Sequence, residues 1–176
     1  MKGKVEIYLM DVHHDMQKTI QLNAERALVR YPTQARTDWL MNKNDKGEPT
    51  DPAQISILIA AIFYVREVEE IFDQMEGGDK DAMRNYNKAQ IQELNDLIRL
   101  TRTNLSKGDR TRVMVIITLD AHGRDIINRM LLEKVEKKTA FQWQSQLKHR
   151  WSEAKNAAEI HICDARFDYG LEYLGN

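Results

Sequence analysis

Apolar side chains recur three or four residues apart along most of the chain, which is the spacing of one face of an α-helix. This pattern predicts a first helix from Lys4 to Tyr31, which Pro32 stops. At 1.5 Å per residue that helix would be roughly 40 Å long, a length that suits a rod or a bundle. Its stripe consists of Val5, Leu9, Val12, Met16, Ile20, Ala24, Ala27 and Leu28.

A polar, turn-rich segment from Met41 to Asp51 separates the first helix from a second one at Ala53 to Met75. The first half of the second helix is apolar all round, which predicts burial by several neighbours. A buried β-strand from Ile55 to Val65 is the competing interpretation. The helical period continues through Met75, however, and therefore favours a helix.

Two more long helices follow. The glycine pair at 77–78 ends the second helix, and Asp79 is a candidate cap for a third helix that reaches Leu105. Asp109 is expected to cap a fourth helix that reaches Val135. Gly123 lies inside this helix and costs up to about 1 kcal/mol relative to alanine, so it is expected to mark a close helix contact or a bend.

The pattern of apolar and polar residues changes near the end of the chain. Phe141 to Trp151 is expected to form a short helix, whereas Glu159 to Leu174 alternates with period two, which predicts one or two strands. The predicted fold is therefore mainly α: an elongated bundle of four long helices plus a short tryptophan-bearing helix, ending in one or two short β-strands. Residues 1–151 form the helical part and 152–176 the β element.

Composition limits the function. The chain has 176 residues, enough for one domain or a piece of something larger, and 26 basic against 27 acidic side chains. That balance gives no basic footprint for nucleic acid or for an anionic membrane surface. The longest apolar run, Ile57 to Val65, is about half of what a membrane span requires. Cys163 is the only cysteine, so an internal disulfide is excluded, and a small buried hydrophobic role is expected.

Candidate catalytic groups are weak. His13 and His14 adjoin two aspartates, but neighbours on a helix point about 100° apart, and helical zinc sites prefer an i, i+4 pair. Asp120, His122 and Asp125 resemble a general-base set, but a helix places the first two nearly opposite each other. No glycine-rich phosphate loop occurs in the sequence. We therefore expect no catalytic, cofactor-binding or metal-binding residue here.

The residues singled out are structural. Gly123, or the corner at 138–140, is a candidate joint at which the packing has two alternatives. Six aromatic residues near the end are expected to anchor this joint, and a ligand platform is the alternative reading. They are Phe141, Trp143, Trp151, Phe167, Tyr169 and Tyr173.

Five blocks of sequence, in this order, resemble the dynein heavy chains in the C-terminal part of the linker that precedes the first AAA+ module. Within that family, these blocks most resemble those of axonemal outer-arm chains of the β type. The loop at 41–51 lacks the tryptophan-rich stretch often seen in that family, and Gln144 and Gly170 stand where larger residues are expected. The five blocks are ISILIAAIFYVREVEEIF (55–72), NLSKGDR (104–110), ITLDAHGRDII (117–127), AFQWQSQLKHRW (140–151) and ICDARFDYGLEYLGN (162–176).

The resemblance implies a force-transmitting element that is not itself catalytic, with residues 152–176 leading towards the first AAA+ module. ATP and Mg²⁺ would be bound in the AAA+ ring of the parent chain, which is the expected partner. The parent would bind microtubules and other arm subunits in the axoneme of a cilium or flagellum. A free-standing helical interaction module is the alternative, and a metal-dependent enzyme using His13, His14, His122 or His161 is a third hypothesis.

Overall fold

The computed structural model describes residues 3–171, most of which lie in helices. A 3₁₀ turn at Tyr31–Thr33 follows the first helix, and a three-stranded sheet follows the last one. The prediction of a mainly helical chain that ends in β-structure is confirmed. The helices are α1 Lys4–Arg30, α2 Arg36–Met41, α3 Ala53–Glu76, α4 Ala82–Thr101, α5 Lys107–Leu132 and α6 Phe141–Gln144; the strands are β1 Lys148–Ser152, β2 Ala157–Ile162 and β3 Ala165–Asp168.

The N-cap of α5 lies three residues before the predicted cap, Asp109. Ser106 is the N-cap, and its side-chain oxygen accepts a hydrogen bond from the backbone N–H of Asp109 at 3.1 Å. Asp109 lies in the first turn, where its carboxylate favours the positive end of the helix dipole. The serine takes the capping position because its short hydroxyl reaches the free N–H directly.

The short helix α2 was not predicted. It occupies the polar stretch between the first two long helices and buries Trp39 and Leu40, which are 3% and 2% exposed. Six residues are too few to display a helical period, so tertiary packing rather than a sequence pattern defines this helix.

The helix predicted from Phe141 to Trp151 is wrong over its second half. It ends at Gln144, and residues 148–152 form β1, which pairs antiparallel with β2 and places Trp151 opposite Ala158. The spacing of aromatic residues suggested a helix, but pairing with β2, a long-range interaction, determines the outcome. The sheet thus has three strands in the order β1-β2-β3, and the predicted division between residues 151 and 152 falls inside β1.

Cys163 is exposed rather than buried as expected. It lies in the two-residue turn between β2 and β3, with a φ of 49°. Turns of this kind place their side chains towards solvent, and the alternating sequence pattern does not reveal where the turn falls.

Buried apolar side chains form two clusters, here called the first core and the second core. Helices α3 and α5 contribute to both, so each passes from one core into the other. The first core is built mainly from Ile20, Ala24, Ala27, Trp39, Leu40, Ile55, Leu58, Ile59, Ile62, Leu97, Val113, Ile116 and Ala158; the second consists of Val65, Val68, Phe72, Met83, Ile127, Met130, Val135 and Trp143.

Much surface remains outside these cores. The chain exposes 11365 Å², compared with about 8,900 Å² expected for a compact monomer of the same mass. The first half of α1 contributes to the excess, since Val5, Tyr8 and Leu9 are 70%, 65% and 58% exposed. No helix in the described part of the chain is long and apolar enough to cross a membrane.

Candidate functional site: the junction between the two cores and the sheet

Trp143 is the central anchor of the second core. It lies in the single turn of α6 and is fully buried, with its ring centroid 6.2 Å from that of Tyr64 and 6.1 Å from that of Phe72. A buried indole supplies a large contact area and favourable edge-to-face geometry. The chain leaving α5 is thereby fixed against α3 before it enters the sheet.

Gly123 on α5 packs directly against the ring of Tyr64 on α3. A Cβ atom at this position would lie 2.9 Å from Cε2 of Tyr64, a distance that real Cβ atoms essentially never show. The Tyr64 hydroxyl also donates a hydrogen bond to the Gly123 carbonyl oxygen at 3.2 Å. The predicted close contact is confirmed, and α5 runs continuously through this position. The role of Gly123 as a joint stays a prediction.

The sheet is attached to the helices by polar contacts around Gln144. Its backbone oxygen accepts from the Cys163 N–H at 2.8 Å, its side-chain nitrogen donates to the Lys138 carbonyl at 2.6 Å, and its side-chain oxygen accepts from Lys148 Nζ at 2.7 Å. Arg150 on β1 forms an ion pair with Glu69 on α3. One glutamine thus joins the α5–α6 connection, β1 and the β2–β3 turn.

Lys148 is an unusual member of this junction because it is only 2% exposed. Its ammonium group lies 5.9 Å from the centroid of the Trp143 ring, in a cation–π arrangement. Burial lowers the pKa of Lys148, and the neighbouring Arg150 guanidinium lowers it further. The ammonium group is therefore held by the Gln144 side-chain oxygen and by the face of the Trp143 ring. The Glu69 carboxylate acts in the opposite direction and raises the pKa of Lys148.

A layer of polar side chains lies between the two cores, at the level of Gly123. Here it is called the polar layer, and it surrounds a cavity of about 190 Å³. Arg36 donates to Asp120 at 2.6 Å and to Glu93 at 3.3 Å. The Tyr86 hydroxyl donates to Glu67 at 2.9 Å. The polar layer consists of Arg36, Tyr64, Glu67, Tyr86, Glu93 and Asp120.

Burial perturbs the titration of this layer. It raises the pKa of Glu67 and of Asp120, although Tyr86 and Arg36, respectively, oppose the shift. It also raises the pKa of Tyr31, beside the layer, to about 12. Low-dielectric surroundings disfavour the charged form of each group. The partners of Glu67 and Asp120 therefore offset only part of the cost of burying these two carboxylates.

The predicted aromatic set is divided among different surroundings. Trp151 and Tyr169 pack against the first core, and Tyr169 lies with its ring 6.1 Å from that of His149. Phe141 and Phe167 are 73% and 55% exposed. Tyr173 lies outside the described residues. The rings at 141–151 do not share one helical face, because the helix ends at Gln144, before Trp151.

The other candidate groups lie apart from one another. His13 and His14 are exposed on α1, and Asp120 is bonded to Arg36 on α2. His161 is 3.1 Å from Glu159 within β2. Across residues 3–171 the structure contains no group of three or more His, Cys, Asp or Glu side chains arranged to hold a metal ion.

Sequence reasoning missed the polar layer itself. Tyr64, Glu67 and Asp120 lie within long helical patterns, where charged and phenolic side chains are normally assigned to the solvent face. The one available signal was Gly123, because a glycine inside a helix indicates a large side chain packed against it. Its partner, Tyr64, is separated by 59 residues and has no signal of its own.

Known proteins similar to this chain are heavy chains of ciliary and flagellar motors. A ciliary dynein β chain from Tripneustes gratilla is 40% identical over 174 residues, which is 99% of this chain. Human dynein axonemal heavy chain 17 is 40% identical over 176 residues, and the flagellar outer-arm dynein α chain of Chlamydomonas reinhardtii is 39% identical over 176 residues, in both cases 100% of this chain. No protein-family model matches the chain.

The similarity covers a small part of each relative. This chain spans 4% of the length of each of these three proteins. The relatives include a β chain, in agreement with the resemblance seen in the sequence, and an α chain of nearly the same identity. The chain is therefore homologous, over its whole length, to a segment of the axonemal dynein heavy chains.

Proposed function

We propose that the chain is part of the mechanical linker of an axonemal dynein heavy chain, at the end nearest the first AAA+ module. In this role it transmits ATP-driven changes of the AAA+ ring into movement along microtubules. The observation that carries the proposal is the full-length similarity to axonemal dynein heavy chains at 40% identity.

The packing of the long helices supports a role in transmitting force. Because α3 and α5 each contribute side chains to both cores, a load applied at one core reaches the other through continuous helix. Close-packed interiors have low compressibility and deform little. Such an element behaves as a stiff arm at the scale of a few nanometres.

The polar layer supports Gly123 as the joint. A lever that switches shape needs a place where packing has two alternatives of similar energy. The cavity at this level is bounded by hydrogen bonds and ion pairs that can exchange partners. The apolar cores on either side have no such freedom. Gly123 lies at the cavity wall, where it packs against the Tyr64 ring of α3.

This segment acts without catalysing a reaction of its own. ATP hydrolysis belongs to the AAA+ ring of the same heavy chain, where ATP and Mg²⁺ bind. The partners of the whole protein are microtubules and other subunits of the dynein arm, and its place is the axoneme of a cilium or flagellum. Residues 152–176 lead from the linker to the first AAA+ module.

A free-standing helical interaction module is the second candidate. The exposed apolar residues at the start of α1, among them Val5 and Leu9, favour it, because an unpaired apolar face of this kind binds a partner. The linker proposal is also consistent with such a face, because another part of a heavy chain would cover it.

The reading frame that follows Asn176 in the gene separates the two candidates. The linker proposal requires a G-x-x-x-x-G-K-[ST] loop within some tens of residues, since that loop begins the ATP site of an AAA+ module. A natural stop codon directly after Asn176 would overturn it. A second measurement is nucleotide turnover by the purified 176-residue chain: we expect none above buffer, and steady hydrolysis would contradict a non-catalytic segment.

A further inference from the structure

The cavity of the polar layer has the size of a small organic group. Its volume is about 190 Å³, and an engineered apolar cavity of about 150 Å³ holds benzene. It lies between the two cores and is walled by α2, α3, α4, α5, Tyr31 and the start of β1 with the segment before it. Leu147 and His122, both exposed, also line it.

The charges around the cavity do not balance. Glu67, Glu93 and Asp120 line it, whereas Arg36 is the only arginine or lysine of residues 3–171 in its lining. His149 also lines the cavity, but burial lowers its pKa, so the ring is neutral near pH 7. Three carboxylates therefore face one guanidinium, and an added positive charge is favoured there.

The lining of the cavity also leaves hydrogen-bond acceptors without donors. The Tyr64 and Tyr86 hydroxyls are used by the Gly123 carbonyl and by Glu67, and the terminal nitrogens of Arg36 are used by Asp120 and Glu93. Two buried acceptors, Gln90 Oε1 and Asp120 Oδ2, have no hydrogen-bond partner. Arg36 Nε is likewise without a partner, but its group already contacts two carboxylates. Buried polar atoms are normally satisfied, so these two acceptors call for a donor, and the excess of carboxylates in the lining favours a donor that is charged.

The remaining walls suit the carbon part of such a ligand. Ala60, Ala61 and Leu119 supply aliphatic surface, and the rings of Tyr31, Tyr64 and Tyr86 supply aromatic faces. Aromatic rings beside carboxylates attract ammonium groups through cation–π and Coulomb interactions.

We infer that this cavity is a binding site for an alkylammonium group, either the side chain of a lysine on another protein segment or the end of a small aliphatic amine. The stem lies against the alanines and tyrosine rings, and the ammonium group donates towards Glu67, Asp120 and Gln90. This binding is independent of the linker proposal, because it concerns the 176-residue chain alone.

The test is a titration of the 176-residue chain with n-butylammonium chloride, followed by NMR. 1-Butanol serves as the neutral probe of the same shape. We expect saturable shifts of the Gly123 and Gln90 amides with n-butylammonium, and at least about tenfold weaker binding of 1-butanol, since a charge-assisted hydrogen bond is lost. Equal affinity for the two probes, or no saturable shift with either, would overturn the inference and leave a cavity filled by water.

Two variants locate the site. Glu67→Gln keeps an acceptor for Tyr86 but removes one charge, and should weaken n-butylammonium binding about tenfold. Glu76→Gln, an exposed position on the same helix, is the matched control and should leave the affinity unchanged. Equal effects of both variants would contradict a site in the cavity. Ala61→Met, which fills the cavity, gives a second test and should abolish binding.

Blocked lysine, Nα-acetyl-lysine N-methylamide, distinguishes the two sources of the group. Binding at least as tight as that of n-butylammonium would assign the cavity to a lysine of a protein segment. Tight binding of n-butylammonium alone would assign it to a small amine. Both results support a cation site, and failure of both ligands rejects it.

Discussion

The two cores of this bundle are built on different principles. Helices α1 to α5 and strand β2 all contribute side chains to the first core, so its buried apolar surface is spread over many residues. The second core is smaller and is centred on one residue, Trp143, which is held in a single turn of helix. The difference teaches that stability in the first core is distributed, whereas in the second it depends on one anchor.

Trp143→Ala gives the largest expected effect. Replacing a buried tryptophan by alanine typically costs 3–5 kcal/mol in the free energy of unfolding, measured by chemical denaturation, so we expect a loss of about 4 kcal/mol. Hydrogen exchange should also show lost protection in β1 and β2, since α6 fixes the sheet to α3. Trp39→Ala, in the first core, is the comparison variant and should lower sheet protection less, because other residues of that core still hold the sheet. Equal loss of sheet protection in both variants would contradict the single-anchor account.

Gly123→Leu is expected to have the next largest effect. The new side chain would collide with the Tyr64 ring, and overpacking of this kind costs about 1–3 kcal/mol in thermal unfolding experiments. Gly108→Ala, on the same helix but in open space, should instead be neutral or slightly stabilising. Adding Tyr64→Ala to Gly123→Leu should recover part of the loss. Purely additive costs would show that the two residues do not interact.

Ser106→Ala removes the cap of α5 at the first core. We expect a loss of about 1 kcal/mol in the free energy of unfolding, because the Asp109 N–H loses its partner. Ser106→Thr should retain most of the stability, since its hydroxyl also caps and can still donate to the Asp109 carboxylate. A cost for Ser106→Thr as large as that for alanine would indicate that the hydroxyl acts in some other way.

The smallest expected effects are those of pH on stability, and they have opposite signs in the polar layer and at the first core. In the polar layer, burial raises the pKa of Glu67 above its ordinary value of 4.5, so this group is more easily protonated in the folded state. Its contribution to stability therefore improves as the pH falls through the raised pKa towards 4.5. Glu67→Gln should melt at a higher temperature than the parent chain at pH 7, and the difference should shrink on acidification.

At the first core the sign reverses. Burial opposes ionisation of Asp109, but the hydrogen bond from Ser106 and the nearby Lys43 hold its pKa below the ordinary value of 3.8. Its stabilisation is fully present above pH 3.8 and disappears as the pH falls through the lowered pKa. Asp109→Asn should lower the melting temperature at pH 7 and have little effect at the lowest pH. The same sign for both variants at pH 7 would refute the contrast.

The long helices were predictable from sequence because their apolar periods extend over many turns. The ends of α1 and α3 agree closely with the pattern, since Pro32 and the glycines at 77–78 act locally. Strand β1 was not predictable, because Lys148 to Ser152 becomes a strand only by pairing with β2. Local propensity cannot report such a long-range ladder.

Only one residue of the sequence indicated the polar layer. Gly123 indicates a close contact by its presence in a helix, but its partner and the charged groups beside it look like ordinary surface positions in the sequence. Arg36, Glu93 and Asp120 come from three different helices, and only their packing brings them together. Among the aromatic residues, the sequence could not distinguish the buried Trp143 from the exposed Phe141 two positions away.

The most direct test of the linker account is made in a heavy chain that carries this segment, by comparing microtubule gliding velocity with basal ATP turnover. Gly123→Leu alters the proposed joint, and Gly108→Ala is the matched control. The account predicts that Gly123→Leu slows gliding severalfold while basal ATP turnover changes much less, and that Gly108→Ala changes neither. Equal losses of gliding and turnover in Gly123→Leu, or unchanged gliding, would contradict it.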